Sequence, residues 1–248
     1  MSAAPAKPDY GIDAPGVIRT LLLIGALALL AAPFVPRVRI GHFLFVFRPM
    51  LIGIGTVCLL EGILMLLYAK CGKHSHRDRM LNRITWHGDE RVLDVGTGAG
   101  LLMIGAAKHL TTGRAVGIDP WSKVDLAGNT PERTVHNAEI EGVQDKVDVL
   151  DGDATAIQFP DASFDVVVSN LCLHNISTEE RRDQACREIV RVLKPGGQLV
   201  VSDFIKTRRY ERVFREAGIA LEPGATFWWR TFPPLRVIYG KKPGGTES

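Results

Sequence analysis

The chain has 248 residues, enough for one catalytic domain with an appendage. Its 30 Lys and Arg against 27 Asp and Glu leave a formal charge of +3, with no basic block of interleaved aromatics, so no nucleic acid is expected as a partner. With 46% hydrophobic residues, apolar sequence must be concentrated somewhere.

It is concentrated near the start. Residues 1–16, rich in Ala, Pro and Asp, read as a disordered tail. Val17 to Val35 carries only Arg19 as a charge and Met50 to Ala69 is broken only by Glu61, so residues 17–70 are expected to form a two-helix transmembrane hairpin. A cleaved signal peptide fits less well, because the apolar stretch starts late and runs into Pro33-Phe34-Val35-Pro36-Arg37 without a small-x-small site. Lys70, Lys73, Arg77, Arg79 and Arg83 follow the second span, against Arg37, Arg39 and Arg48 between the spans. From that asymmetry a two-span membrane protein with a cytoplasmic catalytic domain is expected. Glu61 either lines a polar path, pairs with a helix of a second subunit in a homo-oligomer, or is hydrogen-bonded inside the hairpin.

Residues 71–90 read as an amphipathic linker, with Met80, Leu81 and Ile84 at helical spacing. His74 and His76 lie in a basic stretch and read as a solvated face, so no metal is expected. Residues 91–243 then alternate strands and helices, the pattern of an α/β domain with a parallel sheet. Strands are expected at Arg91–Val95, Ala115–Asp119, Val147–Leu150, Phe164–Ser169 and Gln198–Asp203, and helices at Leu101–Leu110, Pro131–Ile140, Thr178–Leu193 and Arg208–Ala217. Thr130-Pro131 and Ser177-Thr178 supply helix caps, and Pro195-Gly196-Gly197 a helix stop. Ala225–Arg230 and Leu235–Tyr239 read as two further strands, with Trp228 and Trp229 pointing to opposite faces, and 244–248 as a tail.

The informative stretch is Asp94-Val95-Gly96-Thr97-Gly98-Ala99-Gly100 between the first strand and helix of this domain. A dinucleotide site needs a third glycine where Leu101 stands, and a P-loop needs a Gly-Lys-Ser/Thr that is absent. Asp94 precedes the glycines where it can face an ammonium group, and Asp119 ends the next strand where it can accept ribose hydroxyls. Together they describe an adenosine cofactor with a positive amino-acid end.

With Gly117-Ile118-Asp119, Asp151-Gly152-Asp153-Ala154, Phe164-Asp165-Val166-Val167-Val168-Ser169-Asn170 and Arg191-Val192-Leu193-Lys194-Pro195-Gly196-Gly197 following in order, the stretch from about Arg91 to Pro243 resembles the class I S-adenosylmethionine-dependent methyltransferases. Within them it is most similar to the small-molecule branch that includes the quinone-biosynthesis C-methyltransferases. The resemblance implies a Rossmann-like, doubly wound, seven-stranded sheet, mostly parallel with an antiparallel edge hairpin. It implies S-adenosylmethionine as cofactor, held by Asp94, Gly96, Thr97, Gly98, Gly100, Asp119 and Pro120, with Asp153 and Ala154 at the adenine and Asn170 facing the transferred methyl.

Asp153 also reads as a turn residue. Trp121 begins a loop longer than the family's, and either stacks on the adenine or decorates a surface turn. His174 is the expected base if the acceptor must lose a proton, or else a helix cap. The geometry of a tethered enzyme favours a small hydrophobic acceptor resident in the membrane. Two alternatives stay open. Arsenite methyltransferases resemble this domain and Cys172 sits near one of their thiols, although no cysteine follows Cys186. A cofactor-binding membrane scaffold without transfer activity is the other.

Overall fold

In the computed structural model of the chain, residues 6–40, 42–122, 125–228 and 231–244 are described. Helix α1 (Pro15–Ala31) is followed by a small antiparallel ribbon of β1 (Val38–Ile40) and β2 (Phe43–Phe45), and then by α2 (Arg48–Leu67). The ribbon lies where no strand was expected. A single π turn, Tyr68–Gly72, carries α2 directly into α3 (Lys73–Leu81).

Two helices are long and apolar enough to cross a membrane, one over Pro15–Phe34 and one within Arg48–Leu81. Their apolar windows are only 17% and 11% buried. Leu27, Leu30, Met50 and Leu60 are all more than half exposed. The helices meet through small residues. A side chain on Gly25 would come within 2.8 Å of the Leu59 backbone nitrogen and 2.9 Å of the Gly55 carbonyl oxygen, so the backbones approach closely there. Glu61 is half-buried in α2.

The main sheet is built from β3 (Arg91–Val95), β4 (Arg114–Asp119), β5 (Val147–Asp151), β6 (Phe164–Asn170) and β7 (Leu193–Asp203), parallel in the order β5-β4-β3-β6-β7. Interleaved with them are α4 (Leu101–Ala107), α5 (Pro131–Ile140), α6 (Glu179–Val192) and α7 (Thr207–Glu216). Val92 enters one hydrophobic core and Leu93 and Val95 the other, which explains an unbroken apolar strand. Thr130 and Thr178 cap α5 and α6 through their side-chain oxygens.

β10 (Leu235–Lys241) runs antiparallel beside β7, and its outer edge takes β9 (Ala225–Phe227) and a short β8 (Ala220–Leu221). The sheet therefore has eight strands instead of the expected seven, the extra one being β8. β7 starts at Leu193, earlier than Pro195-Gly196-Gly197 implied, because a register shift between Phe164 and Val166 accommodates the turn within the ladder. Trp228 is 68% exposed, and Trp229 lies outside the described residues.

Two expectations change. Residues 9–14 are not a free tail: Tyr10 is 4% exposed, and Asp9, Ile12 and Ala14 bond to the catalytic domain. Within the amphipathic linker it is His76 that departs from the expected solvated face. Met80, Leu81 and Ile84 of α3 and its end join the core of α4, each contributing about 1.5–3 kcal/mol by burial, and His76 is 1% exposed. Periodicity located this helix but gave no sign of what its polar face would meet.

The hairpin's close contact generates a test. Gly25→Leu should lower the stability of the helix pair by about 1–3 kcal/mol through overpacking, read as an earlier transition on sodium dodecyl sulfate titration of the protein in mixed micelles. Gly53→Leu is the control, since a side chain there meets nothing within 4 Å. Equal effects at both positions would contradict this packing.

Candidate functional site

The strand order reverses between β3 and β6, and a doubly wound sheet opens a crevice at the carboxyl ends of its strands at that point. A cavity of about 720 Å³ lies there. The glycine turn forms its floor. Gly96 has φ +76°, and a side chain on it would strike Cys172 Sγ at 2.4 Å, so both conformation and space require glycine. Gly96 and Thr97 both donate backbone N–H to Ile118 O, tying the turn to β4.

Asp94 is 2% exposed and its Oδ2 accepts from Thr97 Oγ1 and Met103 N, both at 2.9 Å. Those bonds leave Oδ1 for a ligand. Burial pushes its carboxyl up to about 7, with the charge of Asp119 adding to the shift and the two hydrogen bonds opposing it. Asp119 is held on both oxygens: Oδ2 accepts from Gly98 N at 2.9 Å, and Oδ1 from Trp121 N at 2.7 Å and Asn129 Nδ2 at 3.0 Å. This fixes the carboxylate at the cavity wall.

The structure brings Asp94, Gly96, Thr97, Gly98, Asp119, Pro120, Asp153, Ala154 and Asn170 together along the cavity. Gly100 stands behind it as the left-handed cap of α4. Asp153 forms the expected turn and also lines the cavity. Its Oδ1 closes a turn with Thr155 N and Oγ1 at 2.8 Å, its Oδ2 accepts from Arg181 at 2.9 Å, and the residue lines the cavity. Two residues are not brought there. The Trp121 indole donates to Asp151 at 2.6 Å instead of lining the cavity. His174 turns toward Asp203, with Nδ1 2.9 Å from Oδ1, and packs edge-on against Phe204. Its place beside Asp203, buried at the end of β7, keeps it off the cavity wall.

Among the lining residues that escaped sequence reasoning, four precede the α/β domain: Tyr10, Asp13, Tyr68 and Lys73. Lys73 Nζ donates to Tyr10 O at 2.8 Å and Gly11 O at 2.6 Å and sits 3.4 Å from Asp13. Asp13 in turn bridges to Leu126 in the loop after β4, where Ala14 N donates to Asp125 O and Ala127 N to Ile12 O. The long 121–129 loop thus pairs with the segment before α1, and both wall the cavity; Lys123 and Val124 lie outside the described residues. A lone aromatic in the polar leader, Tyr10, was the available signal.

Six aspartates line the cavity (Asp13, Asp94, Asp119, Asp125, Asp151 and Asp153) against Lys73 and Arg181. Such a field repels a pyrophosphate and suits a cofactor bearing an ammonium and a sulfonium. Among the described residues no cluster has a metal-ligand set.

Residues 93–201 match the sequence family described as the methyltransferase domain. A ubiquinone/menaquinone biosynthesis C-methyltransferase of Dinoroseobacter shibae is 32% identical over 128 residues, 52% of this chain and 48% of that protein. An arsenite methyltransferase of Aquipseudomonas alcaligenes is 31% identical over 156 residues, 60% of this chain and 43% of that protein. The matched stretch thus spans about half the length of these curated relatives. Among solved structures, the YcgJ protein of Bacillus subtilis superposes with TM-score 0.56 at 18% identity, covering 69% of this chain and all of that one (100%). The [4+2]-cyclase SpnF does so with TM-score 0.59 at 18% identity, covering 95% and 100%. At these identities the structures share the fold alone, and a cyclase on this fold means that fold does not fix the reaction. Residues 93–201 are thus similar to a methyltransferase domain, and S-adenosylmethionine is the methyl donor such a domain implies.

Asp94 supplies a test of the cofactor end. In the free protein a carboxyl near 7 is partly protonated at neutral pH, whereas a bound ammonium favours the carboxylate. Binding should therefore release a proton, and affinity should fall as pH drops below about 7. Calorimetry in buffers of different ionisation enthalpy reads this directly, and Asp94→Asn should abolish the release. A buffer-independent binding heat for the unmodified chain would contradict the assignment.

Proposed function

We propose that the chain is a membrane-anchored methyltransferase that moves the methyl group of S-adenosylmethionine to a small, hydrophobic or lipid-like acceptor, with residues 17–70 as the anchor and 91–243 as a cytoplasmic catalytic domain. One observation carries the reading. Tyr68 and Lys73, directly after the apolar α2, line the same cavity as Gly96 and Asp119. At 1.5 Å per residue, Leu67 and Lys73 are about 9 Å apart along the helix, so the cavity opens beside the end of the apolar segment. Tethering there raises the effective concentration of a membrane-resident acceptor.

The segment before α1 and the helix after α2 both dock on the catalytic domain, which supports a hairpin that leaves and returns on one side. The basic residues after α2 support the cytoplasmic side. In this reading Asp94 faces the ammonium, Gly96, Thr97 and Gly98 the amino-acid end, Asp119 and Pro120 the ribose, and Asp153 with Ala154 the adenine. When bound, S-adenosylmethionine supplies a methyl on a sulfonium, an excellent leaving group. The chain's own task is then to hold two partners in line and exclude water.

A metalloid acceptor gains less support. Of the four cysteines only Cys172 lines the cavity, and burial among Asp119, Asp203 and Asp94 pushes its thiol well above the usual range. A protonated single thiol is a poor metalloid ligand.

Membranes containing the full chain, incubated with methyl-labelled S-adenosylmethionine, should yield label in the organic extract. Asp119→Ala should weaken the cofactor by about 1.5–3 kcal/mol and lower labelling most at low cofactor concentration. Cofactor binding with no label in any extract would identify a non-catalytic scaffold, and label confined to aqueous products would exclude a lipid-like acceptor.

A further inference from the structure

Outside the two apolar helices and their connection, five large hydrophobic side chains of the described residues are exposed, and three of them, Phe204, Ile205 and Trp228, stand on one rim of the sheet. Phe204 and Ile205, 43% and 45% exposed, follow directly on β7, and Trp228, 68% exposed, follows directly on β9. β10 runs between these two strands and antiparallel to both, with Asp203 opposite Arg236 and Phe227 opposite the adjacent Leu235. Both segments therefore leave the sheet at the same end and level, about 10 Å apart by two strand spacings. Single exposed apolar residues are ordinary, but three large ones on one rim mark a contact surface.

The direction of α3 says what that rim faces. His76 Nε2 lies 2.8 Å from Ser202 Oγ, near the carboxyl end of β7, and nine residues later the Thr85 backbone pairs with the Gln198 side chain, farther back on the same strand. α3 thus runs antiparallel to β7, and α2, joined to it by the π turn, projects beyond the carboxyl end of the sheet. Leu67 stands nine residues before His76 on the helix, about 14 Å, whereas Phe204 stands two residues past Ser202 on the strand, about 7 Å. Phe204 is therefore only about 7 Å below the level of Leu67. The headgroup layer on each side of a bilayer is about 5–8 Å thick.

We infer that Phe204, Ile205 and Trp228 form a second membrane contact, seated in the interfacial layer of the bilayer that the helix pair crosses. The inference rests on the membrane-anchored reading and goes beyond it, since an anchor alone does not fix which face of the domain meets the surface. An indole suits that layer, with an apolar body and an N–H that needs a polar partner. Lys206 and Arg208, both exposed, follow the apolar tip, and their stems can lie along it while the charges reach anionic headgroups. Lys206 is shared with Glu179 at 3.0 Å, so Arg208 carries more of that contact. A second copy of the chain would cover such a rim too, but the apolar helix emerging beside it favours lipid. The rim lies at the same end of the sheet as Asp119 and Asn170, so the cavity they line opens toward the bilayer, and an acceptor passes from lipid to the site without crossing water.

The test uses the full chain, one copy per lipid nanodisc, with phosphatidylcholine and phosphatidylglycerol brominated near the top of the acyl chains, where bromine quenches tryptophan only at near contact. Ile205→Trp should add emission that brominated discs quench and unbrominated discs retain. Arg215→Trp, exposed at the far end of α7, should add emission that both retain. Trp228→Phe should remove most of the quenched emission of the unmodified chain, an independent reading if the Ile205 variant does not fold. Unquenched emission from position 205 in a folded variant, or undiminished quenching in Trp228→Phe, would overturn the rim contact. Emission from position 205 that shifts to the blue only in discs holding two copies would assign the rim to self-association and overturn it as well. Release of the unmodified chain from membranes by alkaline carbonate would refute the anchored reading itself, whereas a chain that stays in the membrane without quenching refutes the rim alone.

Discussion

The structure depends on one buried ammonium. Lys73 is 4% exposed, and a lysine is almost never buried so deeply without partners. Here the partners are the carbonyls of Tyr10 and Gly11 and the carboxylate of Asp13, all from the segment before the first apolar helix. Removing one side of such a contact leaves a charge or several carbonyls stranded, a larger loss than the pairing's own net gain. The contact thereby joins the two ends of the hairpin to each other at the mouth of the catalytic cavity.

Everything that distinguishes this chain from a bare Rossmann-like domain follows from that junction. With residues 9–14 pinned, Tyr10 reaches Glu141 through its hydroxyl and Asp13 meets Leu126. The extended loop after β4 then has a partner for backbone groups that a surface loop would give to water. Cavity wall and apolar helix pair become parts of one object. The acidic lining is completed by the same junction, since Asp13 and Asp125 enter the cavity from its two sides.

How much of this was legible divides along the physics of sequence range. β3, its glycine turn, β4 and α5 were readable because their causes are local: an apolar run, glycines with positive φ, and Thr130 before Pro131. That Asp94, Gly96, Gly98, Asp119 and Asp153 line one cavity was readable for the same reason, since they follow directly on strand ends. The rest was not. Lys73 was counted among the charges flanking a span and His76 among solvated residues, and both are buried. Their partners lie 62 and 126 positions away, and no periodicity encodes such contacts. His174 stood at the right place in the chain, yet the turn after β6 aims its ring at Asp203. Trp121 likewise follows the right strand, but its positive φ of 60° carries the indole to Asp151. Strand order predicts where a loop begins and leaves open which way its side chains turn.

The central claim is that the segment preceding the apolar helix pair is a wall of the cavity. Amide hydrogen exchange on the full chain in lipid nanodiscs measures it most directly, at Ala14, which donates to Asp125 O, and at Ala127, which donates to Ile12 O. Both amides should exchange far more slowly than in an unstructured peptide, and S-adenosylhomocysteine should slow them further. Exchange of both at the unstructured rate, with and without that ligand, would contradict the account.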